Sequence, residues 1–322
     1  MSGPAPRILV HSDRAGRFVE GLAEAFPGIE IRVCESYDAV GDALEEARPE
    51  IVLSHKFENA PYPGAIVSGS ESVRWIHCGG TGVDHFAPWD PERVTVTNSP
   101  GVAATVMSEY ALGALYALNL RFPHYMRLQR RHEWVRGTVR QTEGSKVAVV
   151  GLGRIGRAIA ARLKAAGLTV IGVRSGSEAV PEADRTLPVS RLPEALGEAD
   201  HVVVIVPRTP DTVGLIGPEA IAAMRPGAFL VNLSRGGIVD EDALLDALGS
   251  GHVGGAALDV FEQEPLPPDS PFWDMENVIV TPHSAGFVEG WEFAVARLFR
   301  ENLRRWLAGC PLRGVVRPES GY

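Results

Sequence analysis

The stretch Lys146 to Gly156, KVAVVGLGRIG, constrains this chain more than any other. A short apolar strand, Val147 to Val150, runs straight into Gly151, Gly153 and Gly156, the spacing of a dinucleotide-binding turn. Gly151 permits a tight strand-to-helix turn, Gly153 lets backbone approach a pyrophosphate, and Gly156 lets the helix pack on its strand. The helix that follows presents its free N–H groups and positive dipole end to an anion, which makes Arg154 and Ile155 of its first turn candidate contacts. Ile155, Ile159 and Leu163 repeat every four residues along one face, Gly167 is a natural stop, and a second strand is expected over Leu168 to Val173. The structural alternative is a merely tight turn. Strand, turn, amphipathic helix and strand in that order favour the nucleotide.

With 322 residues the chain is long for one core, and two domains are expected. A composition of 45% hydrophobic and 22% charged residues is that of an ordinary globular enzyme. The net charge of -9 argues against nucleic acid as a partner, since phosphate backbones need a basic surface. Cys34, Cys78 and Cys310 have no paired spacing, so neither a disulfide framework nor a zinc site is expected. The nine histidines form no metal-ligand grouping, and no metal is implied. The chain enters a strand almost at once, without the apolar run of a signal peptide, and no 18-residue apolar span follows. These features predict a cytoplasmic protein without a membrane segment.

Residues 7 to 98 alternate short strands and helices: Ile8 to Val10, a helix near Gly16 to Phe26, Ile31 to Val33, a helix near Ala39 to Ala47, then Ile51 to Leu53. This is a parallel α/β pattern. Arg74 to Cys78 is a fourth strand and ends in Gly79, Gly80, Thr81, Gly82, Val83 and Asp84. Such a loop is either a turn that needs positive φ or a nest whose amides hold a carboxylate. Cys78 reads as a buried small side chain. Val94 to Thr97 closes the region, and a long apolar helix from Ala103 to Leu120 leads onward, with Pro123 expected to end or kink it. Arg127 to Arg140, carrying Trp134, reads as a solvated arm or as a clasp for a second subunit.

Further buried strands are expected at Val202 to Val206, Phe229 to Leu233, Ala256 to Val260 and Val278 to Val280. Each delivers polar residues at its carboxyl end, the crevice edge where nucleotides lie in such sheets: Pro207 and Arg208, Ser234 and Arg235, Asp259, and His283. Asp240 can cap a helix after the second of these. A last helix, Val288 to Leu307, is expected to place Phe293, Ala296 and Leu307 on its apolar side. The architecture predicted is α/β, with two doubly wound parallel-sheet domains. A Rossmann cofactor domain, 99–285, is inserted in a flavodoxin-like substrate domain made of 1–98 and 286–322, with hinges near 98–101 and 284–287.

Five stretches carry a family resemblance: GGTGVDH at 79–85, GLGRIG at 151–156, NLSRGGIVDEDAL at 232–244, ALDVFEQEPLP at 257–267 and NVIVTPHSAG at 277–286. In order and combined spacing the chain resembles the D-2-hydroxyacid dehydrogenases, glyoxylate and hydroxypyruvate reductases in particular. The resemblance implies a catalytic set of Arg235, Glu264 and His283. His283 would pass a proton to the oxygen of a small 2-oxo acid, Glu264 would fix the ring from its other nitrogen, and Arg235 would align carboxylate and carbonyl through its planar fork. Taken singly they read as a loop charge, a solvated acid and a turn histidine. The resemblance also implies that Gly80, Thr81 and Gly82 hold the substrate carboxylate and that Asp259 meets the nicotinamide carboxamide. Pro207, Arg208 and Thr212 would border the adenosine half, and Leu233, Ser234 and Ala285 would line the cofactor. Met107 stands where a small apolar residue usually flanks the nicotinamide ring. Relatives of this kind are commonly homodimers, so a homodimer is expected.

An NAD enzyme places an acid about 20 residues beyond the fingerprint to bind the ribose hydroxyls. Here the strand ends Gly172, Val173, Arg174, Ser175, Gly176, Ser177. Arg174 and the serines suit a 2'-phosphate, so NADP is expected rather than NAD, the alternative being an exposed arginine with NAD accepted. Two other functions fit the fold: a nucleotide-sensing interaction protein like the co-repressors related to this family, against which stands the intact Arg, Glu and His set, and a formate or phosphite dehydrogenase, against which Glu264 weighs.

Overall fold

Runs of four to six apolar residues bounded by turn residues become two parallel sheets in the computed structural model, which describes residues 5–57, 60–176 and 178–318. The chain divides into two units, Met1–Val102 with Val288–Tyr322, and Ala103–Phe287. The second is continuous in sequence and interrupts the first.

In the first unit β1 (Arg7–His11), β2 (Glu30–Cys34), β3 (Ile51–Ser54), β4 (Trp75–Cys78) and β5 (Thr95–Thr97) lie parallel in the order β5-β4-β3-β1-β2. A short antiparallel strand, β13 (Val315–Val316), pairs with β5 at the edge. This is the flavodoxin-like order, reversing between β1 and β3. Alternate residues face opposite sides, as the two-residue strand period requires. Ile8, Val10, Ile51, Leu53 and Trp75 pack with Phe18, Phe299 and Leu303 of the helices Ala15–Val19 and Trp291–Leu307. Leu9, Val52 and Ile76 pack with Val40 and Leu44 of the helix Val40–Ala47 and Val67 of the helix Gly64–Gly69.

Two expectations for this unit need correction. The helix read over Gly16 to Phe26 is two short helices, Ala15–Val19 and Leu22–Ala25, because Gly21 turns into the left-handed region at φ 69° and breaks the hydrogen-bond ladder. The last helix starts only at Trp291, after Gly290 at φ 74°, and Phe293 and Leu307 are exposed rather than inward. Its buried face is Trp291, Val295, Ala296, Phe299 and Leu303.

In the second unit β6 (Lys146–Val150), β7 (Thr169–Arg174), β8 (Arg185–Pro188), β9 (His201–Val204), β10 (Ala228–Asn232), β11 (Val253–Leu258) and β12 (Val278–Val280) are all parallel, ordered β12-β11-β10-β9-β6-β7-β8. The order reverses between β6 and β9, the switch point of a Rossmann sheet. Val147, Val149, Val203, Val231 and Ala257 face the helices Ala104–Asn119 and Arg154–Ala165, while Ala148, Val150, Val202, Val204 and Leu230 face the other layer. Pro123 starts a helix instead of ending one: the chain turns at Arg121, φ 58°, and Phe122–Arg130 follows with Pro123 in its first turn. Residues 131–141 are exposed throughout and without regular structure, Trp134 at 92%.

Candidate active site

The glycines of the fingerprint divide by what a side chain would meet. At Gly151, φ 106°, a Cβ would lie 2.2 Å from the Ile205 carbonyl oxygen, and at Gly156 one would lie 1.8 Å from that of Gly151. Both are demanded by the chain's own packing. At Gly153 a Cβ would meet nothing within 4 Å. Its backbone is ordinary, φ -71°, and it is the N-cap of the helix Arg154–Ala165, which has no side-chain cap. A glycine that the protein itself does not need, beside uncapped helix amides, fits the close approach of a diphosphate. Arg154 and Ile155 form that helix's first turn.

Across the switch point, the loop after β9 is tied by Thr212. Its hydroxyl donates to the Pro207 carbonyl at 2.6 Å and accepts from the Thr209 N–H at 2.8 Å. Arg208 lies in the same loop, its guanidinium about 4 Å from where a Gly237 Cβ would stand. At the end of β7, Arg174 Nη1 is 3.5 Å from Glu178 Oε2. That carboxylate rests over Gly176, where a Cβ would come within 2.4 Å of it. Ser175 adjoins Arg174; Ser177 lies outside the described residues. An acid therefore does stand beside Arg174, one residue past the stretch in which the sequence shows none.

Arg235, Glu264 and His283 follow β10, β11 and β12, three adjacent strands, so all three leave the same carboxyl edge. His283 Nδ1 lies 2.8 Å and 3.1 Å from the two Glu264 oxygens. Nδ1–H donates to the carboxylate, so Nε2 on the far side of the ring is the atom that can exchange a proton with a ligand. Glu264 Oε1 also accepts from the Phe261 N–H at 3.2 Å. The Arg235 loop presses on that same segment, since a Cβ at Gly236 would lie 2.0 Å from the Phe261 carbonyl oxygen. Arg235 Nη1 donates to the Ser234 carbonyl at 2.8 Å, Ser234 bonds Asn232 Oδ1 through its N–H and hydroxyl, and Leu233 is buried.

Asp259, at the end of β11, is 2% exposed and collects donors from the histidine loop. Oδ1 accepts from the Thr281 hydroxyl at 2.6 Å and the Ser284 N–H at 2.9 Å, and Oδ2 accepts from the Ala285 N–H at 3.0 Å. Burial raises its pKa above the usual carboxylate value, against the pull of those donors. Tyr110 extends the network, its hydroxyl 2.6 Å from Thr281 Oγ1, and burial pushes the phenol up to about 12. Met107 is 9% exposed, its sulfur 3.9 Å from where a Gly286 Cβ would stand. Sequence reasoning passed over Tyr110, Thr281 and Glu178.

In the first unit, Gly80, Thr81 and Gly82 follow β4. The Gly80 N–H donates to Cys78 Sγ at 3.4 Å, and the thiol in turn donates to the Gly82 carbonyl at 3.4 Å. Ser99 N–H bonds the Gly80 carbonyl and Asn98 Nδ2 the Thr81 carbonyl. Cys78 is fully buried, and its sulfur shapes the loop.

Residues 112–285 match the family model described as D-isomer specific 2-hydroxyacid dehydrogenase, NAD binding domain. The D-3-phosphoglycerate dehydrogenase of Mycobacterium tuberculosis is 32% identical over 311 residues, covering 94% of this chain and 57% of that protein, so the chain spans little more than half of that relative. The crystal structure of a D-isomer specific 2-hydroxyacid dehydrogenase from Xanthobacter autotrophicus Py2, in complex with NADPH and MES, has a TM-score of 0.84 at 32% identity, covering 99% of this chain and 100% of that one. The NADPH-dependent glyoxylate/hydroxypyruvate reductase of Sinorhizobium meliloti, solved with NADP and sulfate, has a TM-score of 0.83 at 29% identity over 99% and 100% of the two chains. With the family model matched over more than half of its length and the likeness to solved members running from end to end, this chain belongs to the D-isomer specific 2-hydroxyacid dehydrogenase family.

Proposed function

We propose that this chain is an NADP-preferring reductase that converts a small 2-oxo acid, of the glyoxylate or hydroxypyruvate kind, to the D-2-hydroxy acid. The observation that carries this reading is the Glu264 to His283 contact at the sheet edge that also bears Arg235. The bound nicotinamide supplies the hydride. His283 Nε2 gives its proton to the carbonyl oxygen as that oxygen gains charge, and Glu264 holds the ring and offsets the positive charge of its protonated form. Arg235 aligns the substrate through two parallel hydrogen bonds. The amides of Gly80, Thr81 and Gly82 are the carboxylate holders in this reading. Gly151, Gly153, Gly156 and the helix that follows hold the diphosphate, and Arg174 with Ser175 holds the 2'-phosphate.

What supports NADP is Arg174 at the end of β7 and the NADPH or NADP of the two solved relatives. Residues 1–98 and 286–322 are the substrate part and 99–285 the cofactor part in this reading. The enzyme works as a homodimer in the cytoplasm. The exposed Trp134 arm favours the dimer, and three free cysteines, two of them buried, favour a reducing compartment. Among the described residues no helix is long and apolar enough to cross a membrane, and no cluster suits a metal. The test is loss of nicotinamide absorbance when the protein is mixed with NADPH or NADH and a panel of 2-oxo acids. Tight nucleotide binding without turnover across the panel would overturn the reductase in favour of a nucleotide sensor.

A further inference from the structure

We infer that Tyr110 and Thr281 are positioning residues that lock the backbone carrying His283, an inference that rests on the reductase reading for its consequence but not for its geometry. His283 has φ 52°, in the left-handed region that a residue with a Cβ enters at a cost. Something must hold it there. Within the loop itself the His283 N–H bonds the Thr281 carbonyl at 3.0 Å and the Phe287 N–H bonds the Ser284 carbonyl at 2.9 Å. The rest comes from Asp259, which takes the Ser284 and Ala285 N–H groups immediately after the histidine and the Thr281 hydroxyl two residues before it. The loop is thus pinned on both sides of its strained residue by one buried carboxylate.

The proton directions in this network are fixed. A carboxylate only accepts, so the Thr281 hydroxyl donates to Asp259 and must accept from Tyr110. Tyr110 belongs to the helix Ala104–Asn119, whose Ala111, Leu115 and Leu118 are buried against the sheet. Donors therefore converge on Asp259 from two sides, from a rigid helix through Thr281 and from the two amides that follow His283. Removing the Thr281 hydroxyl strips the buried carboxylate of a donor and leaves the front of the loop only the Thr281 N–H bond to the Leu258 carbonyl, while Ser284 and Ala285 keep hold of the back. The imidazole then swings with the relaxing backbone, and its distance to Glu264 and to the reacting oxygen changes together. Small displacements of this kind matter, since a misplacement of about 1 Å can cost on the order of 100-fold in rate.

The variants are Tyr110→Phe, Thr281→Val and Thr281→Ser in the full chain, with two readouts. In steady-state turnover of NADPH and the best 2-oxo acid, Tyr110→Phe and Thr281→Val lower kcat by about tenfold, the rate equivalent of one hydrogen bond. The KM for NADPH changes less than kcat, because the phosphate turn is untouched and only the nicotinamide end, beside Asp259 and Ala285, is loosened. In amide hydrogen exchange the same two variants open residues 282–286 selectively, and Thr281→Ser restores both readouts. A fall in Tm with unchanged kcat and unchanged exchange at 282–286 overturns the proposal and makes the hydroxyl pair a plain core contact. Failure of Thr281→Ser to recover kcat and exchange does so too. If the wild-type chain turns over no 2-oxo acid, the reductase reading falls while the exchange measurement still decides the clamp.

Discussion

His283 and Glu264 are joined by a contact that the sequence places 19 residues apart, and the consequence can be measured one side chain at a time. His283→Ala should lower kcat by about 10²- to 10⁴-fold, the usual loss for a general acid, with the dissociation constant for NADPH unchanged. A loss of nucleotide binding in parallel would move His283 from the chemistry to the cofactor. Arg174 presents a different balance. Its partner Glu178 is 74% exposed, and an ion pair in solvent contributes only about 0–1 kcal/mol, whereas a hydrogen bond to a charged group such as a 2'-phosphate contributes about 1.5–3 kcal/mol. The phosphate should therefore displace the carboxylate at a small penalty. Glu178→Gln should raise the NADPH to NADH ratio of kcat/KM by up to about fivefold, and Arg174→Ala should lower it by about tenfold or more with NADH hardly affected. Both ratios belong at one fixed low salt, so that screening does not mask them. Equal losses with the two cofactors in Arg174→Ala would remove the phosphate role. Arg235 and His283 stood out in the sequence because each follows an apolar strand, but their roles, and the choice of Glu264 six residues past β11, came from the family resemblance, since each reads singly as an ordinary loop residue. The pairing of Tyr110 with Thr281 was not visible, since the two meet across 171 residues, Tyr110 stands in no motif, and Thr281 shares its motif with the more pointed His283.

At the scale of elements, the phosphate turn separates packing from binding. Gly156→Ala forces a methyl to within 1.8 Å of the Gly151 carbonyl oxygen, so the strand-to-helix junction must open, and the variant should unfold at much lower temperature or fail to accumulate. Gly153→Ala meets nothing in the chain and keeps an allowed φ, so its Tm should stay within about 2 °C of wild type, less than the shift that follows from losing 1 kcal/mol. Its affinity for NADPH should nevertheless fall by about tenfold or more, as the methyl takes the space of a phosphate oxygen. Normal binding by Gly153→Ala would mean that the diphosphate lies elsewhere. The buried parallel strands were readable because both faces are covered and the runs are continuous in Val, Ile and Leu. β8, RTLP, was not, being polar at an edge and closed by proline, and β13 is two residues held only by its partner strand. The terminal helix misled because its apolar residues fall on two overlapping faces, and only packing on Trp75 and Ile8 selects the one that carries Val295, Phe299 and Leu303.

At the scale of the whole molecule, the two units differ in how they meet acid. The first unit buries His11, His55 and His77, whose burial lowers their pKa from 6.5 to about 4, about 3 and about 3. The second buries His201, lowered to about 4 by the same cause. Each ring is held neutral by its surroundings: His11 sits between Ser54 and the Ser36 carbonyl, and His77 between the Thr97 and Ser99 hydroxyls. Below pH 6.5 an unfolded chain takes up protons at these positions that the folded unit refuses until its own lower pKa is reached, so stability falls as pH falls through that window. Each histidine contributes about 1.4 kcal/mol per pH unit there, so the first unit loses up to about 4 kcal/mol per unit and the second about 1.4 kcal/mol. Calorimetry between pH 7 and pH 5 should therefore resolve a transition that moves down steeply, and hydrogen exchange should assign it to residues 5–102 and 288–318. His77→Gln, which keeps a donor and an acceptor but cannot titrate, should flatten the pH dependence of that transition by about a third. A first unit whose melting temperature is level from pH 7 to pH 5 would show that these histidines titrate in the folded chain as they do in the unfolded one, and that burial does not hold them neutral.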